Sequence, residues 1–186
     1  HPNKWHRDTA VRLLGERNDK NAANKLRELI ERGEGVGALN ALWALHQSSG
    51  LDEATALIGL KHTYAPVRMW TARLLGDEWG VQRNLGVGDH ARPRASVVAP
   101  SRRPSEKATA RAQLPTPEAG VLPDKLFKAL LAQTTVETDA EVLSQFASTA
   151  RRLDASQAMP LVAAVLGHDE AVNDPYIPLL CWWVFE

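Results

Sequence analysis

The feature that most constrains the fold of this chain is an internal match. Laid without a gap over His62–Asp77, the segment His1–Glu16 pairs His1 with His62, Arg7 with Arg68 and Arg12 with Arg73. It also pairs Leu13-Leu14-Gly15 with Leu74-Leu75-Gly76, and acidic Glu16 with Asp77. Three further helical patterns lie between the copies, so the repeat is four helices, or two hairpins of roughly thirty residues each. One helical hairpin cannot bury its own apolar face, and stacked neighbours make a continuous core instead. The expectation is an all-α chain of HEAT-like helical-hairpin repeats, an α-solenoid, interrupted by a linker.

Apolar spacing gives the elements. A helix over Lys4–Glu16 would put Trp5, Thr9, Ala10, Leu13 and Leu14 on one face. A second over Ala22–Arg32 turns Ala22, Ala23, Leu26, Leu29 and Ile30 inward and stops at Gly33. A third over Val36–Ser48 carries Val36, Leu39, Leu42, Trp43 and His46, with Gly50 beyond its end. A short fourth covers Leu51–Leu60. A fifth opens at Ala65-Pro66, where proline suits the first turn, and presents Val67, Trp70, Thr71, Leu74 and Leu75. No stretch alternates with period two over a strand's length.

Composition then shifts. From Gly86 to Gly120 the chain holds Pro93, Pro100, Pro104, Pro115 and Pro117 with few large apolar residues. From Arg92 to Arg111, the basic residues Arg92, Arg94, Arg102, Arg103, Lys107 and Arg111 face only Glu106. Such a segment buries too little surface to offset its ordering entropy and is longer than an ordinary inter-helix loop. Helical patterning resumes with Leu126, Phe127, Leu130 and Leu131 after Pro123-Asp124. Thr138 and Glu141 have capping-box spacing for a helix bearing Val142, Phe146, Ala150 and Leu153. A helix over Ser156–Leu166 tolerates Pro160 only in its first turn. A last one uses Asp174 as cap and Pro175 as first residue, then Ile177, Leu180, Cys181 and Val184. The expected organisation is an N-terminal helical block over 1–85, a Pro/Arg-rich linker over 86–120 and a C-terminal helical block over 121–186.

Reactive chemistry is hard to find. The single cysteine, Cys181, excludes an internal disulfide framework, CxxC redox chemistry and CxxCH haem attachment. There is no HExxH, GxSxG, GxGxxG or P-loop pattern; Gly33-Glu34-Gly35-Val36-Gly37 reads as an inter-helix turn, having no preceding strand and no GK[ST] after it. His168-Asp169-Glu170 are consecutive residues that would point in different directions, a poor metal cage. His1 and His62 share a position just before a helix, which favours a role in the turn. Catalytic, metal and cofactor residues are therefore all expected to be absent. The net charge is zero, giving no global field for nucleic acid.

The candidate interaction surface comprises Arg7, Arg12, Arg68, Arg73, Arg151, Trp182 and Trp183. The repeated arginines could line a concave face for phosphate or acidic peptide, or pair with acidic residues of the next repeat. Trp5, Trp43 and Trp70 fall on core stripes; Trp79 has no assignment. Trp182 and Trp183 cannot both face one core, so one of them is expected to meet a neighbour. The apolar run Leu179–Phe185 is far shorter than the roughly 20 residues that span a bilayer, and its exposure beside Glu186 suggests a helix whose packing partner lies downstream. The chain starts at His1 without an initiator Met, and it is expected to be a segment of a longer protein.

Several motifs together resemble a known family: His1-Pro2-Asn3-Lys4-Trp5-His6-Arg7-Asp8-Thr9-Ala10, Ala41-Leu42-Trp43-Ala44-Leu45-His46, Val67-Arg68-Met69-Trp70-Thr71-Ala72-Arg73-Leu74-Leu75-Gly76-Asp77, and Asn173-Asp174-Pro175-Tyr176-Ile177-Pro178-Leu179-Leu180-Cys181-Trp182-Trp183. They resemble the HEAT-repeat region of planctomycete-type membrane-bound dehydrogenase-like proteins. In that family a sugar-dehydrogenase-like β-propeller precedes the HEAT region and a haem-binding c-type cytochrome domain follows it. The resemblance implies a non-catalytic spacer that positions neighbouring domains or binds a protein partner, within an exported parent. It transfers no catalytic or cofactor residue, because neither CxxCH nor a propeller pattern occurs here. A nucleic-acid-binding helical module using the basic insert and the repeated arginines is the alternative.

Overall fold

The computed structural model describes residues 2–17, 20–81 and 120–185. Among them about 79% are helical and none forms a strand. The helices are α1 (Lys4–Arg17), α2 (Lys20–Arg32), α3 (Gly35–Ser49), α4 (Glu53–Leu60) and α5 (Ala65–Val81), then α6 (Asp124–Val136), α7 (Ala140–Ala150), α8 (Ala155–Leu166), α9 (Asp169–Asn173) and α10 (Ile177–Trp182). The chain is all-α. Most of the expected 86–120 linker lies outside the described residues.

The helices alternate between two layers. In one, α1 packs on α3, α3 on α5, and α5 on α7, which is followed by α9 and α10. In the other, α2 packs on α4, α4 on α6 and α6 on α8. Contacts of α2 with α3, α4 with α5 and α7 with α8 join the layers. One core runs through both, from Ile30, Leu42, Leu45 and Leu60 through Leu75 to Leu126, Phe146 and Ile177. The helices before and after residues 82–119 thus pack directly on each other, through α5 on α7 and α4 on α6.

Local chemistry explains the helix ends. Asp52 caps α4 by accepting Thr55 N–H at 2.8 Å, and Asp154 caps α8 by accepting Ser156 N–H at 3.1 Å. Gly33 ends α2 because its N–H bonds Leu29 O at 3.0 Å; a Cβ there would lie 2.0 Å from the same oxygen. Gly50 closes α3 at φ +78°, a backbone conformation L-residues avoid. At the head of α6, Gln157 bonds both polar groups of Leu122, accepting from its N–H at 2.8 Å and donating to its C=O at 2.9 Å. Gly120 N–H bonds Arg152 O at 2.8 Å and Asp154 N–H bonds Gly120 O at 2.7 Å, so α6 starts fastened to the α7–α8 turn.

Several expectations change. The cap of α7 is Asp139, which accepts from Glu141 and Val142 N–H, whereas Thr138 is exposed; the expected box starts one residue too early, because Asp is as good a cap as Thr. Pro160 falls in the second turn of α8, on its exposed side. The last expected helix is short, and an unexpected one, α9, precedes it. Asp174 still caps, accepting from Tyr176 at 2.8 Å and Ile177 at 3.0 Å, but α10 begins only at Ile177. The expected inner face of α1 is rotated: Val11 is buried and Leu14 and Gly15 are half-buried, while Trp5 is 66% exposed and Leu13 38%. Leu29 and Val36 are exposed as well. α1 and α2 are the first helices of their layers, so each has a layer neighbour on one side only among the described residues.

Candidate functional site

The internal match reappears as geometry. Arg7 Nη1 donates to Pro2 O at 2.6 Å, and its counterpart Arg68 Nη1 donates to Thr63 O at 3.0 Å, five residues back in each case. Arg12 approaches Glu16 at 3.9 Å and Arg73 approaches Asp77 at 3.8 Å, again in equivalent pairs. Gly15 lies where a Cβ would come within 2.9 Å of Gln47 on α3. Gly76 lies where one would come within 3.2 Å of Thr149 on α7 and the Arg152 side chain. The small residue lets each helix approach its neighbour closely, so α1 sits on α3 as α5 sits on α7.

A second repeated device involves histidine. His62, buried two residues past α4, accepts Tyr64 N–H on Nδ1 at 2.9 Å, which leaves Nε2 to donate to Gly33 O at 3.2 Å. His168, two residues past α8, holds Nε2 at 2.6 Å from Thr134 O in the last turn of α6. Each ring ties the exit of one helix to the C-terminal end of the preceding helix in its layer. His168 is thereby engaged with a backbone carbonyl, and Asp169 and Glu170 are exposed. Among the described residues no three His, Cys, Asp or Glu side chains group to hold a metal ion.

The expected surface arginines separate into different roles. Arg68 leaves the interaction surface. Its guanidinium, with the side chain 13% exposed, makes a two-pronged pair with Glu137 at 2.7 Å on both arms and also donates to His62 O. Glu137 is the largest omission of the sequence reading. Its side chain is 1% exposed and takes five hydrogen bonds, from Arg68 twice, from Thr138 and Asp139 N–H, and from Gln133. Burial alone would raise its pKa, but the hydrogen bonds and the Arg68 charge outweigh that and hold it below the usual carboxylate value. The bond to Glu137, acting against burial, pushes Arg68 up. In sequence Glu137 is one acid among many; only its partner, 69 residues away, reveals its place.

Further ties between helices are acid–base pairs. Arg27 on α2 holds Asp52, the α4 cap, at 2.9 and 2.7 Å. Burial again opposes ionisation of Asp52, and the Thr55 and Arg27 bonds overcome it to lower its pKa. Arg152 pairs with Asp77, and Lys125 with Glu53 at 2.9 Å. His46 Nδ1 lies 3.2 Å from Glu78 Oε1, close but unaligned for a hydrogen bond, while Glu78 accepts Leu51 N–H at 2.9 Å.

Two clusters of rings and guanidinium groups remain, one on α3 and α5 and one at the ends of α7 and α10. Trp43 and Trp70 meet edge to face at 5.1 Å, and Arg73 lies over the Trp70 ring at 5.0 Å. Trp70 and Trp79 are half-buried against the core rather than enclosed in it. Arg151 covers Trp183 at 5.6 Å. Trp182 is 60% exposed and sits 6.4 Å from Phe185. An open cleft of about 460 Å³ lies between the ends of α2 and α4, lined in part by Glu31, Arg32, Leu57, Lys61 and His62. Its charges are mixed and His62 is engaged with backbone, so no nucleophile–base pair forms there. No described helix is long and apolar enough to cross a membrane. Comparison with family models, with curated proteins and with solved structures gave no match.

Proposed function

We propose that this chain is a non-catalytic HEAT-type scaffold, a helical spacer that positions neighbouring domains or holds a protein partner on its layered surface. The observation that carries the reading is the repeat of the Arg7/Arg68 and Arg12/Arg73 devices at equivalent places in α1 and α5. Charged groups spent on positioning helices are what a stacked-repeat architecture needs. The resemblance to the HEAT region of dehydrogenase-like proteins adds a setting, between a sugar-oxidising domain and a haem-binding one in an exported parent. The chain needs no cofactor of its own in that role. Purified chain tests this: a helical far-UV spectrum, no haem or metal at stoichiometric level, and no sugar-dependent reduction of artificial electron acceptors are expected. Stoichiometric haem or metal, or turnover, refutes it. The nucleic-acid alternative is weakened by the sequestering of Arg68 among the repeated arginines, and its basic insert, Arg92–Arg111, lies outside the described residues.

A further inference from the structure

We infer that His62 is an acid-released latch: its neutral ring ties the end of α4 to the end of α2, and a proton on Nδ1 frees that step of the stack.

The α4–α5 turn hangs on one imidazole whose two nitrogens hold opposite roles. His62 is 7% exposed. Nδ1 accepts Tyr64 N–H at 2.9 Å, so it carries no hydrogen, and Nε2 donates to Gly33 O at 3.2 Å. An imidazolium has a hydrogen on both nitrogens and accepts nothing. Protonation therefore sets two N–H groups against each other and leaves the Tyr64 backbone donor without its acceptor. His168 makes the contrast. It meets Thr134 O with Nε2, a donor's role that the doubly protonated ring keeps.

The charges around the ring favour its release. Lys61 precedes it in the chain, and the Arg68 guanidinium donates to the His62 carbonyl at 2.8 Å. The carboxylate of Glu137 is taken by both arms of Arg68, and Asp139 beyond it caps α7. On the other side lies the open cleft of about 460 Å³, which Glu31, Arg32 and Glu34 line from the exit of α2 and Lys61 from the exit of α4. All four are exposed, and Arg32 pairs with Glu28 at 3.2 Å. An imidazolium turned into this cleft finds water and the carboxylates of Glu31 and Glu34.

The remaining ties define what moves. Arg27 on α2 holds Asp52, the cap at the start of α4, at 2.9 and 2.7 Å. Arg68 holds the head of α5 to Glu137. Both carboxylates are kept below their ordinary range, so both pairs persist where histidine titrates. Release at His62 thus lets α2 and α4 part at their C-terminal ends, pivoting at Arg27–Asp52, while α5 stays fastened to the α6–α7 turn.

Amide hydrogen exchange of the intact chain, with each rate divided by the intrinsic rate at that pH, is the test. Between about pH 7.5 and about pH 5.5, the interval that histidine crosses, protection of the Tyr64 amide is expected to fall about tenfold or more. Protection of the Asp139 amide, held by Glu137, is expected to stay unchanged. His62→Asn puts a neutral side-chain oxygen two residues before the same N–H, the reach of an Asx turn, so it is expected to abolish the fall. His168→Asn is expected to leave the fall in place. If circular dichroism shows that His62→Asn has lost helicity, nitrogen chemical shifts of the His62 ring in the unaltered chain decide instead. They are expected to show the Nε2–H tautomer at the higher pH and an imidazolium only as the Tyr64 amide opens. Equal protection of Tyr64 at both pH values in the unaltered chain overturns the inference. So does a folded His62→Asn chain that keeps the fall, a folded His168→Asn chain that loses it, or an imidazolium at His62 with Tyr64 still protected.

Discussion

Replacing Glu137 by alanine should be the most damaging single change outside the apolar core. The substitution removes the acceptor of both arms of Arg68, at 2.7 Å each, and of the Thr138 and Asp139 N–H groups at 3.1 Å. Arg68 would keep its bonds to His62 and Thr63 carbonyls but lose its counter-charge in a site where its side chain is 13% exposed. Breaking such a pair from one side costs about 3–5 kcal/mol. With a urea dependence of about 2 kcal/mol per molar, the unfolding midpoint falls by roughly 2 M. Arg68→Met alone should cost a similar amount, by stranding the carboxylate. The double substitution Arg68→Met with Glu137→Met should cost much less than the two singles together, a coupling of about 2 kcal/mol or more. Urea unfolding followed by circular dichroism measures all three. A midpoint shift below about 0.5 M for Glu137→Ala, or additive single effects, would refute the assignment of this pair as the link between α5 and the α6–α7 turn.

The same pair gives a pH dependence. Glu137 is held below its unfolded value, so its contribution is complete above the ordinary carboxylate range and is lost as pH falls through the folded value. Glu137→Gln should flatten the acid limb of the stability–pH curve measured by urea unfolding. At the cap of α7, Asp139→Ala should cost about 1 kcal/mol and Thr138→Ala close to nothing in the same assay, since only Asp139 accepts from the first turn. A Cβ at Gly59 would lie 2.3 Å from Thr71 Oγ1. Gly59→Ala should therefore lower the thermal midpoint, at a cost of about 1–3 kcal/mol, and adding Thr71→Ala should restore much of the loss. Burial of Cys181 raises its thiol pKa, so labelling by a thiol reagent should be slow in the native protein and fast in urea. A protease site placed within residues 82–119 should leave the two pieces co-eluting after cleavage on gel filtration, because α5 packs on α7 and α4 on α6.

Helix identity was legible in the sequence because it depends on local spacing and on Gly, Pro and Asp at the ends. The 3.6-residue recurrence of Leu39, Leu42 and Leu45, or of Val67, Thr71 and Leu74, needs no knowledge of what lies opposite. The internal match was legible for the same reason, and it correctly placed Arg7 with Arg68 and Arg12 with Arg73. Burial at the two ends of the stack was not. Trp5 and Leu13 have the spacing of core residues, but whether an apolar side chain is covered depends on how many neighbours its helix has. The fate of each arginine also lay beyond local pattern. Arg68 and Arg73 look alike in sequence, yet one is enclosed by Glu137 from across the fold and the other lies over Trp70 at the surface. A buried charge is stable only where the tertiary structure brings its partners, so the pairing of α5 with the α6–α7 turn was decided by the packing of helices far apart in the chain.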